Sequence, residues 1–223
     1  MRRWILWINL LLGAVFLAAF AYGAKGYSDA RHAAPELKAR AAALAAAGRG
    51  PDSIDPENLR ILILVEDPGF AFHKGVDLSN KGAGLTTMTQ SLSKRLAFRE
   101  FRPGFRKIRQ TGYAIGLESR LSKSDILTLW LDTVPMGRDA DGVWTTGFDT
   151  AGEAFFGKPL PGLTREEFIE LTAVPIAPGR LSPLRRGPDF DARVQRITRL
   201  ANGLCEPDAV RDVWLDGCAA GRL

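Results

Sequence analysis

The sequence predicts a mainly α-helical protein carried on a single N-terminal transmembrane helix. Three observations lead there. Trp4 to Ala24 is an apolar run whose only strongly polar residue is Asn9. Two capping-box signatures, Ser122-Lys123-Ser124-Asp125 and Thr164-Arg165-Glu166-Glu167, open helical segments further along. The composition is 46% hydrophobic, 25% charged and 9% aromatic over 223 residues. Those are globular values, and they exclude a disordered or collagen-like chain.

Trp4 to Ala24 would span roughly 31 Å as a helix at about 1.5 Å per residue, close to the hydrocarbon thickness of a bilayer. Arg2 and Arg3 would stay in the cytoplasm and send the rest of the chain across. Trp4, Trp7 and Tyr22 lie near the two ends, where interfacial aromatics belong. A cleaved signal peptide is the rival reading, because Ala19-Phe20-Ala21 offers an A-x-A site. Both readings export residues 25–223. The formal charge of +5 then faces lipid phosphates, and nucleic acid is set aside as a partner. Cys205 and Cys218 either pair in that compartment or remain two thiols. With His32 and His73 they are too few for a Cys/His zinc site.

After the anchor at 1–24, residues 25–55 read as a stalk leading to a domain over 56–223. Pro35 to Ala47 is an Ala-rich helix by propensity, ended by Gly48-Arg49-Gly50-Pro51-Asp52. Arg60 to Val65 is a buried run that fits a strand or a helix. Lys107 to Leu121 reads as a helix, and a second runs from the Ser122 cap through Asp132. Residues 133–148, with Pro135, Gly137, Gly142 and Gly147, read as a loop. Asp149 to Phe156 is a short helix closed by Gly157. Another runs from Thr164 to about Val174, before Pro175, Pro178 and Pro183 break the chain. Asp189 to Asn202 repeats Val194, Ile197 and Leu200 at helical spacing.

Four segments hold candidate chemistry. Glu66 and Asp67 follow an apolar run and precede Phe70 and His73. A carboxylate at such an edge is either a partly desolvated general base or a cap at the end of a core helix. Gly82 to Lys94 combines glycines with Thr86, Thr87, Thr89, Gln90 and Lys94, all able to donate to phosphate oxygens; a polar surface loop is the plainer reading. Lys94 to Arg109 sets seven cations (Lys94, Arg95, Arg99, Arg102, Arg106, Lys107 and Arg109) against Glu100. Phe98, Phe101 and Phe105 interleave with them, as at a membrane interface carrying anionic headgroups, although a solvated basic face has the same composition. Lys123 to Asp132 is mostly core-forming, with Lys123 at its start.

In this order the segments resemble the family 51 glycosyltransferases, the peptidoglycan glycosyltransferases that polymerise lipid II. Glu66, Asp67, Phe70, His73, Gly75 and Asp77 match every fixed position of that family's first motif, E-D-x-x-F-x-x-H-x-G-x-D. Gly84, Thr87, Thr89, Gln90, Leu92 and Lys94 match the second more loosely. The third, R-K-x-x-E, appears as Arg106-Lys107-Ile108-Arg109-Gln110, with an amide where the family has its second carboxylate. Lys123, Ile126, Leu127, Trp130, Leu131 and Asp132 follow the fourth, with Asp132 for an asparagine. Gly147 to Gly157 and Ala173 to Pro183 resemble the family's later stretches.

The resemblance implies a helical, lysozyme-like glycosyltransferase domain with a membrane-dipping jaw, part of it at Phe98, Phe101 and Phe105. It implies a monofunctional, membrane-anchored form on the periplasmic or extracellular side of the inner (cytoplasmic) membrane. Glu66 would be the base, and Gln110 stands at the second catalytic position. Lys94, Arg102, Arg106 and Lys107 would meet the diphosphate. Thr86, Thr87 and Gln90 would bond phosphate or sugar, and Asp67, Phe70, His73 and Lys123 would complete the substrate site. No cofactor is obligatory; a divalent metal (Mg or Mn) at the diphosphate belongs to the family pattern. Glu118 and Asp125 are the nearby acids that could stand in for the missing carboxylate. The partners implied are lipid II, the growing lipid-linked glycan, the membrane and other cell-wall synthases. The alternative is a non-catalytic homologue that binds lipid II or partner synthases.

Overall fold

The structure, a computed structural model, describes residues 2–221. It is helical, as the sequence predicts. α1 runs Arg2–Ala46 and α2 Pro56–Glu66, followed by α3 Met88–Ala97, α4 Arg106–Glu118 and α5 Lys123–Thr133. A small hairpin, β1 Pro135–Arg138 and β2 Trp144–Thr146, leads into α6 Phe148–Phe156, α7 Arg165–Ala173 and α8 Pro188–Ala201. The core centres on α5, whose Ile126, Leu127, Leu129, Trp130 and Leu131 are all buried. Trp130 packs on Phe148 with ring centroids 5.8 Å apart, and Phe148 on Phe168 at 5.6 Å. Each such side chain contributes roughly 1.5–3 kcal/mol by leaving water.

α1 is one helix of 45 residues with two environments. Its apolar side chains from Trp4 to Phe20 are exposed, and this is the one helix among the described residues long and apolar enough to cross a membrane. From Gly23 onward it packs parallel to α4. Tyr22 stacks on Phe105 at 4.8 Å, Gly23 faces Ile108 and Gly112, and Ala30 faces Gly116. Residues 25–46, expected as a stalk, instead form a wall of the domain: Ala30, Ala34, Leu37 and Ala41 are buried in the core. Helix propensity identifies such a segment as helical but says nothing of what its alanine stripe touches. Arg109 bonds Asp29 at 2.8 Å, and Arg40 and Arg49 reach Asp132 at 2.6 and 3.1 Å. Asp132, the departure from the fourth motif, is thus the anion that two arginines need.

The α1–α4 contact admits no side chain at its centre. A Cβ on Gly112 would collide with the Gly23 carbonyl, which is backbone and cannot swing away. Gly112→Val should therefore cost about 3 kcal/mol, read as a Tm drop of at least about 6 °C in detergent. Gly179→Ala, which meets open space, is the control and should leave Tm unchanged.

Three segments resolve or correct the sequence reading. The 60–65 run is helical, part of α2, which starts at Pro56 behind the Asp55 cap. The 133–148 stretch is not all loop. Gly137 and Gly142, at φ +88 and +80, supply the bulge and the turn, and the Asp139 carboxylate accepts from Asp141 N and Val143 N to close the hairpin. The glycine-hydroxyl stretch continues into α3, opened by a full Thr87/Gln90 capping box. Its buried face includes Thr89, Gln90 and Ser93, so it has no apolar period to read.

Candidate active site

Glu66 is the last residue of α2, and its carboxylate lines a cleft of about 260 Å³ together with Ala83, Thr86, Lys94, Arg193 and Val213. Burial pushes its carboxyl from 4.5 up to about 7; the Arg193 guanidinium opposes this, Asp67 adds to it, and Arg95 opposes it. The carbonyl end of the α2 dipole also disfavours the anion. A carboxyl that titrates near neutrality is suited to take a proton.

The cations around it are themselves partly withdrawn from water. Lys94 is held below the ordinary lysine range by burial and then by Arg95, and Lys107 by burial and then by Lys94. Lys107 Nζ donates to Thr86 Oγ1 at 2.9 Å. Desolvated like charges repel, and an anion between them would relieve both costs.

Much of the first motif lies behind the cleft. Asp67 is 1% exposed; it accepts from His73 Nε2 at 2.9 Å and from Met88 N at 2.9 Å, which pins α3 to the end of α2. Gly75 N donates to His73 Nδ1, so the ring proton sits on Nε2. Phe70 is buried beneath Lys123, whose Nζ lies 4.5 Å from the ring centroid. Lys123 donates to Glu118 Oε1 and to the His73 carbonyl at 2.7 and 2.8 Å. Thr87 and Gln90 serve as the α3 capping box, and Gln90 Nε2 also donates to Thr111 Oγ1. Arg102 and Arg106 are exposed and bond Glu100, by its carboxylate and its carbonyl respectively. Of the expected site residues, Glu66, Thr86 and Lys94 line the cleft; the others support it or flank it.

Gln110 does not line the cleft. It is fully buried in α4, where Nε2 donates to the Gln90 carbonyl at 2.6 Å and Oε1 has no partner. Neither acid expected to replace it is free. Glu118 also accepts from Thr89 Oγ1, and Asp125 completes the Ser122 capping box. Among the described residues no group of three or more His, Cys, Asp or Glu side chains is placed to hold a metal ion by itself.

Two wall elements escaped sequence reasoning. Arg193 lies on the buried stripe of α8 with Phe190, Ile197 and Leu200. A charge on an apolar stripe was the available signal. The other is the C-terminal segment. Ala209 and Val210 carbonyls accept from Gly82 N and Gly84 N at 2.9 and 2.7 Å, so this segment holds the glycine loop in place. A disulfide between Cys205 and Cys218 closes it, which resolves the choice between a bridge and two thiols. Removing the bridge with a Cys205→Ser/Cys218→Ser double variant should cost about 3 kcal/mol in urea unfolding. Unfolding the wild-type chain with and without dithiothreitol should show the same difference.

A long apolar helix and a helical domain with an acid in a cationic cleft define the class: a lysozyme-like transglycosylase domain beside a membrane helix. The chain belongs to the Transglycosylase family, whose sequence profile matches residues 49–202. It is 32% identical over 146 residues to Penicillin-binding protein 1A of Escherichia coli (strain K12), covering 60% of this chain and 17% of that protein. It is 30% identical over 174 residues to Penicillin-binding protein 4 of Bacillus subtilis (strain 168), 72% of this chain and 27% of that one. It is 33% identical over 138 residues to the Biosynthetic peptidoglycan transglycosylase of Citrobacter koseri, 56% and 55% respectively. The chain thus spans at most about half the length of these relatives.

Proposed function

We propose that this protein is a peptidoglycan glycosyltransferase that polymerises lipid II into glycan strands and releases undecaprenyl diphosphate. The observation that carries the reading is Glu66, an acid titrating near 7 in a cleft that also holds Lys94. Its carboxylate takes the proton from the acceptor sugar's 4-hydroxyl as that oxygen bonds to the donor's anomeric carbon. The bond from that carbon to the diphosphate oxygen breaks with inversion, and the departing diphosphate keeps the electron pair. Lys94 and Lys107 stabilise the charge that develops there. Thr86, bonded to Lys107, orients the phosphate. Arg102, Arg106, Phe98, Phe101 and Phe105 hold the entrance at the lipid surface.

The domain works on the outer face of the cytoplasmic membrane, anchored by a single pass. The disulfide supports an oxidising compartment, and Arg2 and Arg3 support the orientation. Other cell-wall synthases are its partners there.

A second reading is favoured by one observation, the burial of Gln110 away from the cleft. It is a homologue that binds lipid II, or partner synthases, without polymerising. Labelled lipid II in proteoliposomes separates the two. Polymer from the wild type and none from Glu66→Gln supports the transferase. Saturable lipid II binding with no polymer in either supports the binder.

A further inference from the structure

We propose that Arg193 is a positioning residue for Glu66: its buried guanidinium keeps the carboxylate in the ionised, proton-accepting form that the reaction consumes. The proposal rests on the transferase reading and adds a residue from α8, beyond the motifs that carry the resemblance.

Arg193 and Glu66 line the same cleft from opposite ends of the sequence. Arg193 is 3% exposed. Nη1 donates to the Val213 carbonyl at 2.9 Å, and Nε is buried without any partner. A guanidinium carries five donors, and burying it with so few satisfied is costly unless an anion lies close. Arg196, one turn along α8, already holds Asp216 at 2.6 Å and the Trp214 carbonyl at 3.0 Å, so the surface acids of that segment have their own cation. Within the cleft the anion that remains for Arg193 is Glu66.

The electrostatic couplings run the same way in both directions. Burial brings Arg193 down to about 10, and Glu66 is the first charge that opposes the fall, with Asp212 and Asp216 behind it and Arg196 working against it. Three charged groups act on Glu66 from three directions: Arg193 on α8, Arg95 on α3 and Asp67 next in the chain. Arg95 has Nε on Thr133 Oγ1 and Nη1 on Ser91 Oγ, both at 3.0 Å, its guanidinium 6.0 Å from the Trp130 ring centroid, and Nη2 buried without a partner. Arg95 does not line the cleft; Arg193 does, with Lys94, and Arg193 is the larger of the two charges that oppose the rise at Glu66.

The C-terminal segment gains a role from this. It supplies the one carbonyl that fixes Arg193 and also holds Gly82 and Gly84 across the cleft. One short, disulfide-closed stretch therefore sets both the wall and the charge opposite the base.

The test uses the full chain in detergent micelles, labelled with carboxyl-¹³C glutamate. The Glu66 signal is assigned by its loss in Glu66→Gln. In Arg193→Met the Glu66 titration midpoint should rise by about one pH unit, the lower end of what a nearby opposite charge does to a carboxyl. Arg193→Lys should restore most of the difference. Lipid II polymerisation should fall about fivefold at pH 7 in Arg193→Met and recover toward wild type at pH 9, because the base is lost by protonation and not by misfolding. A midpoint unchanged in Arg193→Met overturns the proposal even if activity drops. A midpoint that rises in a protein making no polymer upholds the pairing and rejects the transferase reading instead.

Discussion

Glu66→Gln should abolish polymerisation while making the folded protein more resistant to heat at pH 8. The activity loss follows from chemistry: an amide cannot accept the hydroxyl proton. A drop of at least about 100-fold is expected, the lower range for losing a general base. The stability gain follows from linkage. The Glu66 carboxyl is raised from 4.5 to about 7 on folding, with burial as the main cause. A raised acid opposes folding wherever the unfolded chain is ionised. The penalty is absent below about pH 4.5, grows between 4.5 and 7, and is complete above 7. At about 1.4 kcal/mol per pH unit this amounts to at most about 3 kcal/mol. Arg193 and Arg95 lose an anion in the variant, which reduces the gain. Thermal melts of wild type and Glu66→Gln at pH 5 and pH 8 measure the effect. The difference should be larger at pH 8, and an equal or reversed difference would remove the claim that the acid is strained by its surroundings.

Gln110→Glu should weaken the protein without raising its turnover. From the motif alone this substitution looks like a repair, restoring the carboxylate of R-K-x-x-E. The structure points the other way. Gln110 is fully buried, its amide donates to the Gln90 carbonyl, and it lies outside the cleft. A carboxylate there would aim a negative oxygen at a carbonyl oxygen in a dry helix interface. An unsatisfied buried polar group costs roughly 1–3 kcal/mol and a charged one more, so about 3 kcal/mol is expected at pH 8. At pH 5 the introduced acid can keep its proton, donate to Gln90 and recover part of the loss. Urea unfolding at the two pH values, alongside lipid II polymerisation, tests both halves. Higher turnover in Gln110→Glu would show that position 110 reaches the substrate after all.

The legible parts of this molecule are those where one residue's chemistry is local. Glu66 could be read from an acid closing an apolar run, and α5 and α7 from their capping boxes. The motif pattern located Asp67, His73 and Lys123 but assigned them to substrate. Their hydrogen bonds go to one another, to Met88 N, to Gly75 N and to Glu118, and backbone partners leave no trace in composition. α3 was hidden because its buried face mixes Met88 and Leu92 with Thr89, Gln90 and Ser93, whose partners are Glu118, Thr111 and the Thr89 carbonyl. Arg193 and the 209–213 wall were hidden for a different reason: they meet Glu66 only through the tertiary fold, more than a hundred residues along the chain.

The continuity of α1 has a mechanical consequence. At about 1.5 Å per residue its 45 residues form a mast roughly 68 Å long, with about half embedded and half bolted to the domain by close backbone contact at Gly23, Gly26, Gly112 and Gly116. A flexible tether would let the domain swivel and change its height above the bilayer. This mast transmits tilt and torque. The altitude of Glu66 and the bearing of the cleft are set by how the helix leans in the lipid. A thicker or thinner bilayer would then change how far the cleft stands from the lipid surface and which way its mouth faces.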